Sequence, residues 1–187
     1  KGVEGGKEMM EEGGEIIDIG GVSTGAGEEE VEVDEEMEGV IGVVEGLGEL
    51  DVELSVDRFG SEVGEGVVEG GVRMINEEWG GRYDEKMFSV VGEYEGEMVL
   101  MENGEGEGDE AVMDEMMVML VKEGNKGEMG GMGKSSMWMD GGIGFGKRRE
   151  EEGEVMGGLD EVVGREYGVL VGSRGKGLMK EIVDYET

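Results

Sequence analysis

The sequence has no cysteine, no histidine and no proline, and glutamine is missing too. Without cysteine there is no disulfide framework and no thiolate zinc site, and without histidine the usual neutral metal ligand is gone. Apolar runs are short, far below the roughly 20 residues of a membrane-spanning helix. The opening residues, Lys1-Gly2-Val3-Glu4, lack the apolar core of a signal peptide, so a cytoplasmic chain is expected. Basic residues are scarce as well: 16 Lys and Arg stand against 49 Asp and Glu, a formal net charge of −33. Nucleic acids and anionic membranes select positive surfaces, so neither is expected as a partner. The chain begins at Lys1 rather than Met, and a fragment or a processed product is the expectation.

What is present in excess is equally uneven. There are 42 glycines and 17 methionines in 187 residues, while alanine and threonine occur only at Ala26, Ala111, Thr24 and Thr187. The missing residues share codons rich in cytosine. Our hypothesis is that guanine replaced cytosine in the coding text, turning Ala and Pro into Gly, His and Gln into Glu, Leu into Val and Ile into Met. Ordinary cytosine content in the parent nucleic acid would sink this idea in favour of plain selection for an acidic, glycine-rich chain. A 36% share of hydrophobic residues is still enough to bury the core of one domain.

Read in order, the chain alternates strand with helix. A weak helix over Val3 to Glu12 precedes a β-branched run, Glu15 to Gly21, which the glycines close as a strand. Val22 to Gly27 is a loop. From about Glu28 to Gly46, Val33, Met37, Val40, Ile41 and Val44 recur at three- and four-residue steps, the apolar face of a helix. Val52 to Asp57 is the second strand and Ser61 to Glu69 its helix. Val72 to Asn76 is the third, with a helix ending near Val91. Met98 to Met101 is followed by a helix from about Asp109 to Glu123. Met137-Trp138-Met139-Asp140 opens into glycines and Lys147, with one helix over Glu150 to Val163. Tyr167 to Gly172 and a last helical segment to Val183 complete six βα units.

Such alternation specifies a parallel sheet with right-handed crossovers. Polar residues recur at strand ends, at Asp18, Asp57, Asn76, Glu102 and Asp140, with Lys176 just beyond the sixth strand. A (β/α)8 TIM barrel assembles its site from many strand ends, whereas an open sheet uses mainly its switch point. The α/β fold class expected is therefore that barrel, with about six of its βα units present. A whole barrel takes about 250 residues, so residues 1–187 are expected to form a single barrel domain lacking the first and last strands.

Around Asp140, glycines allow close backbone approach and sharp turns. Asp140 offers an acceptor, and Lys147 a charge for a phosphate or a ring nitrogen. Gly141 to Lys147 also fits G-x-x-x-x-G-K, but Arg148 stands where a phosphate-binding loop needs a hydroxyl for magnesium. Gly142-Ile143-Gly144 lacks the third glycine of a dinucleotide fingerprint. Met116, Met117 and Met119 read as core filler, and the acidic runs Glu28 to Glu30 and Glu150 to Glu152 as solvated helix starts.

Five stretches, Ile16 to Thr24, Ser55 to Asp57, Met74 to Asn76, Asp140 to Lys147 and Leu170 to Gly177, together resemble the successive strand-end motifs of dihydropteroate synthase, in order and at the right distances. The resemblance implies a pterin-binding (β/α)8 barrel that condenses 4-aminobenzoate with 6-hydroxymethyl-7,8-dihydropterin diphosphate in folate biosynthesis. It implies that Asp57, Asn76, Asp140 and Lys176 bind the pterin, that Gly144 and Phe145 line its slot, and that Thr24 and Ser173 lie on the 4-aminobenzoate side. Magnesium would assist the leaving diphosphate as a Lewis acid. Its family ligand lies in the absent first strand, so no metal ligand is assigned here. The partners implied are the two small-molecule substrates, with room for a homodimer. Departures follow the cytosine-to-guanine pattern: Glu102 stands for a histidine, Glu77 for an aspartate, Arg58 for a threonine and Gly141 for a proline.

A related reading is the pterin-binding barrel of methyltetrahydrofolate methyltransferases, which moves a methyl group to a corrinoid. Ser23-Thr24 and Ser173 favour the synthase. A third is a non-catalytic, poorly folded acidic chain, because each glycine inside a helix costs roughly 0.5 to 1 kcal/mol relative to alanine. A marginal or unfolded protein is the expectation.

Overall fold

A computed structural model describes residues 2–20, 33–48, 50–57, 61–77, 84–102, 112–145 and 147–172. Six strands, β1 (Ile16–Gly20), β2 (Glu53–Asp57), β3 (Met74–Glu77), β4 (Glu97–Met101), β5 (Met137–Asp140) and β6 (Gly168–Leu170), alternate with helices. The helices are α1 (Gly2–Glu11), α2 (Val33–Leu47), α3 (Ser61–Glu69), α4 (Lys86–Glu93), α5 (Val112–Met129), α6 (Arg149–Gly157) and α7 (Leu159–Val163). All strand pairs are parallel and lie side by side in chain order, β1-β2-β3-β4-β5-β6. That sequential order is the one a (β/α)8 barrel uses and a doubly wound sheet does not. β1 and β6 are the two edges among the described residues.

Side chains alternate across a strand, and here the alternation sorts two surfaces. Ile17, Ile19, Leu54, Val56, Ile75, Met98, Leu100, Met137 and Met139 share one continuous core with Val40, Val44 and Leu47 of α2, Met87, Phe88 and Val91 of α4, and Met116 and Leu120 of α5. The residues between them on the same strands, Ser55, Met74, Val99, Met101 and Asp140, are buried but lie outside that core cluster. They form the other face. The burial of both faces explains why β4 reads Glu-Met-Val-Leu-Met with four buried residues in succession.

Two helices depart from the expected bounds. α5 runs on past Glu123 to Met129, through two glycines that would otherwise weaken it. Both lie close against the sheet: a Cβ on Gly124 would stand 2.6 Å from Tyr167 Oη, and one on Gly127 would stand 2.3 Å from Met137 Sδ. Tertiary packing here outweighs propensity. The single helix expected over Glu150 to Val163 is instead two, α6 and α7, broken at Gly158 (φ −103, ψ 4). Consecutive glycines Gly157 and Gly158 contribute little to helix formation, and a Cβ on Gly158 would stand 2.5 Å from Met113 Cε. The break thus lets α6 approach α5 closely.

The start of α3 shows how a polar side chain fixes a helix end. The carboxylate of Asp84 accepts from Ser61 N at 3.2 Å and from the Ser61 hydroxyl, and its other oxygen accepts from Lys86 N at 3.1 Å. One carboxylate therefore serves orphan donors at the N-termini of α3 and α4. The Ser61 hydroxyl is the main reason its pKa lies below the ordinary aspartate value, with Lys86 assisting against partial burial.

Candidate active site

At the C-terminal ends of the strands the inner face opens into a cavity of about 430 Å³, lined by Asp18, Ser55, Asp57, Met74, Asn76, Met101, Asp140, Phe145 and Leu170 among others. The sequential parallel pairing puts one or two inward residues of each strand at this mouth. In register, Asp57 stands beside Asn76, and Asp140 between Met101 and Leu170. The volume falls within the roughly 300–1,000 Å³ of small-ligand sites. Two larger hollows, of about 670 and 760 Å³, lie elsewhere, between α5 and α7 and at the opposite ends of the strands.

Four of the expected site residues, Asp57, Asn76, Asp140 and Phe145, thus come together. Gly144 belongs to the turn before Phe145 rather than to the lining; its φ of +86 suits glycine, and its N–H donates to Glu152 Oε1 at 3.1 Å. Thr24, Ser173 and Lys176 lie outside the described residues.

The turn after β5 is the most constrained part of the site. Asp140 is 5% exposed and its Oδ1 accepts from Gly142 N at 2.9 Å. Gly142 has φ +61, and a Cβ there would fall 1.8 Å from the Glu102 carbonyl oxygen. No other residue fits such a contact. Phe145 N closes the turn onto Gly142 O at 3.1 Å. Lys147, expected to offer its charge to a ligand, is instead buried, with a side chain 2% exposed. Its Nζ donates to Glu102 O at 3.0 Å and to Glu102 Oε2 at 2.6 Å. A lysine so engaged does not present its charge as the phosphate hook of a P-loop does.

The acidic run at the start of α6 also divides. Glu151 accepts from Arg148 N at 2.6 Å in a capping arrangement, and the Arg148 guanidinium is the first reason its pKa lies below the ordinary value. Glu152, expected to be a solvated helix start, is 7% exposed. It holds Gly144 N on one oxygen and Arg149 Nη1, at 2.8 Å, on the other.

The chemistry offered is recognition of polar N–H and carbonyl groups on a small ligand. Carboxylates at Asp18, Asp57 and Asp140 can accept from ring N–H and amino groups, while Asn76 can donate and accept. Asn76 Nδ2 already donates to Asp18 Oδ2 at 3.1 Å, which orients its carbonyl. Asp18 was visible in the sequence as a strand-end acid, and Ser55 as the head of the Ser55 to Asp57 stretch, but neither carried an assigned role; Met101 had no signal beyond its even spacing from Val99. Among the described residues, no group of three or more His, Cys, Asp or Glu residues comes together to hold a metal ion.

These features define a parallel α/β domain with a small-ligand site at the carboxyl ends of successive strands. The pterin binding enzyme family matches residues 1–186. The dihydropteroate synthase of Staphylococcus haemolyticus is 49% identical over 181 residues, covering 97% of this chain and 68% of that protein. The Clostridium difficile dihydropteroate synthase, solved in the presence of pteroic acid, superposes with a TM-score of 0.87 at 34% identity, over 97% of this chain and 70% of that one. That of Xanthomonas albilineans, solved with 4-aminobenzoic acid, gives 0.86 at 31%, over 99% and 68%. The chain belongs to the dihydropteroate synthase family of pterin binding enzymes.

Proposed function

We propose that this chain, a transferase by its family, condenses 4-aminobenzoate with 6-hydroxymethyl-7,8-dihydropterin diphosphate. The amine nitrogen forms a bond to the exocyclic carbon of the pterin as the carbon–oxygen bond to diphosphate breaks, and the amine loses a proton to solvent. The observation that carries the reading is the convergence of Asp57, Asn76, Asp140 and Phe145 on one cavity. In it, Asp57, Asn76 and Asp140 pair with the donor and acceptor edge of the pterin, and Phe145 covers the ring. Polar groups held in such a cavity, with Asp140 buried among them, disfavour analogues that leave them unpaired. Lys176 joins them, and Thr24 and Ser173 serve the 4-aminobenzoate side, by family resemblance. The methyltransferase reading loses ground to relatives solved with pteroic acid and 4-aminobenzoic acid.

Magnesium would accompany the diphosphate as a Lewis acid. Among the described residues no three His, Cys, Asp or Glu side chains come together to hold such an ion. A cytoplasmic homodimer completes the reading.

Titration calorimetry with the pterin diphosphate tests it, alongside release of diphosphate on adding 4-aminobenzoate. Asp140→Asn and Asn76→Ala should each weaken binding by roughly 10- to 150-fold, the worth of a hydrogen bond to a charged or buried polar group. A folded protein that binds no pterin, or variants that bind it as well as the parent, would overturn the assignment.

A further inference from the structure

Glu102 lies just beyond β4, outside the cavity lining, yet three separate contacts connect it to the turn that carries the site. Its N–H donates to Asp140 O at 2.9 Å. Its carbonyl oxygen lies against Gly142, so close that a Cβ there would fall at 1.8 Å. Its carbonyl and carboxylate both receive Lys147 Nζ, at 3.0 and 2.6 Å, from a residue 45 positions away in sequence. The side chains are nearly sealed from water, at 12% and 2% exposed. Screening by solvent is therefore weak, and removal of one partner leaves a buried charge behind.

The whole turn from Gly141 to Phe145 runs between Asp140, whose carbonyl accepts the Glu102 N–H, and Lys147, which the Glu102 carboxylate holds. It is braced from the far side by the Gly144 contact to Glu152, and it fixes both Asp140, through Gly142 N, and the position of Phe145. We propose that Glu102 and Lys147 are positioning residues for the pterin site: a buried ion pair that clamps the Gly141–Phe145 turn so that the Asp140 carboxylate and the Phe145 ring meet the substrate in fixed geometry. The inference rests on the pterin reading above.

The test compares the parent with Glu102→Ala, Glu102→Gln, Lys147→Met and the Glu102→Ala/Lys147→Met pair. Two readouts are used: the pterin diphosphate dissociation constant by calorimetry, and hydrogen exchange of the turn amides without ligand. Glu102→Ala should raise the dissociation constant roughly 10- to 100-fold, the scale of a misplacement of about 1 Å in a binding group. Exchange at Gly142, Gly144 and Phe145 should quicken while β4 and β5 stay protected. Glu102→Gln, which keeps an acceptor for Lys147, should recover most of both. The double variant should be no worse than Lys147→Met alone, because the orphaned carboxylate is then gone. A merely structural role would lower protection of the whole sheet and leave the affinity of the folded fraction unchanged. Parental affinity and unchanged turn exchange in Glu102→Ala would overturn the clamp while leaving the pterin reading standing. If the parent itself binds no pterin, the pterin reading falls, and with it the clamp's role in binding; the exchange arm still decides whether the pair holds the turn.

Discussion

Among the described residues, four glycines lie within helices, short of their last residue, at positions where nothing occupies the place of a side chain: Gly5 in α1, Gly39 and Gly42 in α2, and Gly153 in α6. A Cβ built at each meets no atom within 4 Å, and none of the four has a positive φ. Alanine at each should therefore gain the full helix-propensity difference, roughly 0.5 to 1 kcal/mol, with no steric loss. Part of that gain acts by restricting the unfolded chain. The sites lie on three helices, and additivity is expected for all but the neighbouring Gly39 and Gly42, so the quadruple variant should gain about 2–4 kcal/mol. For a chain of this size that corresponds to a rise in melting temperature of roughly 4–16 °C. A thermal melt followed by far-UV circular dichroism reads it directly. Gly92→Ala is the control: it sits in α4 and should gain the same propensity, but its Cβ would stand 2.8 Å from the Gly130 carbonyl oxygen, and it should destabilise. If the quadruple variant melts where the parent does, the helices are not limited by their glycines, and the expectation of a marginal chain loses its main support.

Gly168→Ala should also destabilise, by about 1–3 kcal/mol, the usual cost of overpacking. Its Cβ would stand 2.6 Å from Trp138 Cδ2, and the ring cannot yield without straining the 2.6 Å bond from its Nε1 to Glu97 Oε2; an unchanged near-UV circular dichroism spectrum and melting point would refute the contact. Ser61→Ala should be less stable than the parent at neutral pH. Because Asp84 titrates below its ordinary value in the folded state, its contribution is present above the unfolded pKa of about 4 and is lost as pH falls through the lower folded value. The stability gap should close below about pH 4, and a constant gap between pH 6 and pH 2 in denaturant titrations would show that Ser61 does not act through Asp84.

The inner strands β2 to β5 were legible because parallel strands largely buried on both faces read as short apolar runs bounded by glycine or acid, and each ended at or within one residue of the expected position. The convergence of Asp57, Asn76 and Asp140 was legible for a related reason. Period-two alternation and sequential order together force strand-end residues of like parity into one mouth. The break at Gly158 was harder to read, since Gly157-Gly158 signals weakness without saying whether packing repairs it. In α5, where Gly124 and Gly127 press against Tyr167 and Met137, packing does repair it, and the helix runs on.

Contacts between distant residues had no local signal at all. Nothing in the sequence near Glu102 announces Lys147, and the lysine after a glycine-rich turn reads most simply as a ligand for an anion. Only the fold shows that the charge is already taken. The same residues that made the turn look like a phosphate loop instead hold a carboxylate and an aromatic ring over a cavity, because Gly142 admits the Glu102 carbonyl where any side chain would exclude it. Glycine at this position has a geometric cause, a positive φ and a contact that no Cβ tolerates. Glycine at Gly39 or Gly153 has none, and that contrast separates the glycines the site requires from those the fold merely accommodates.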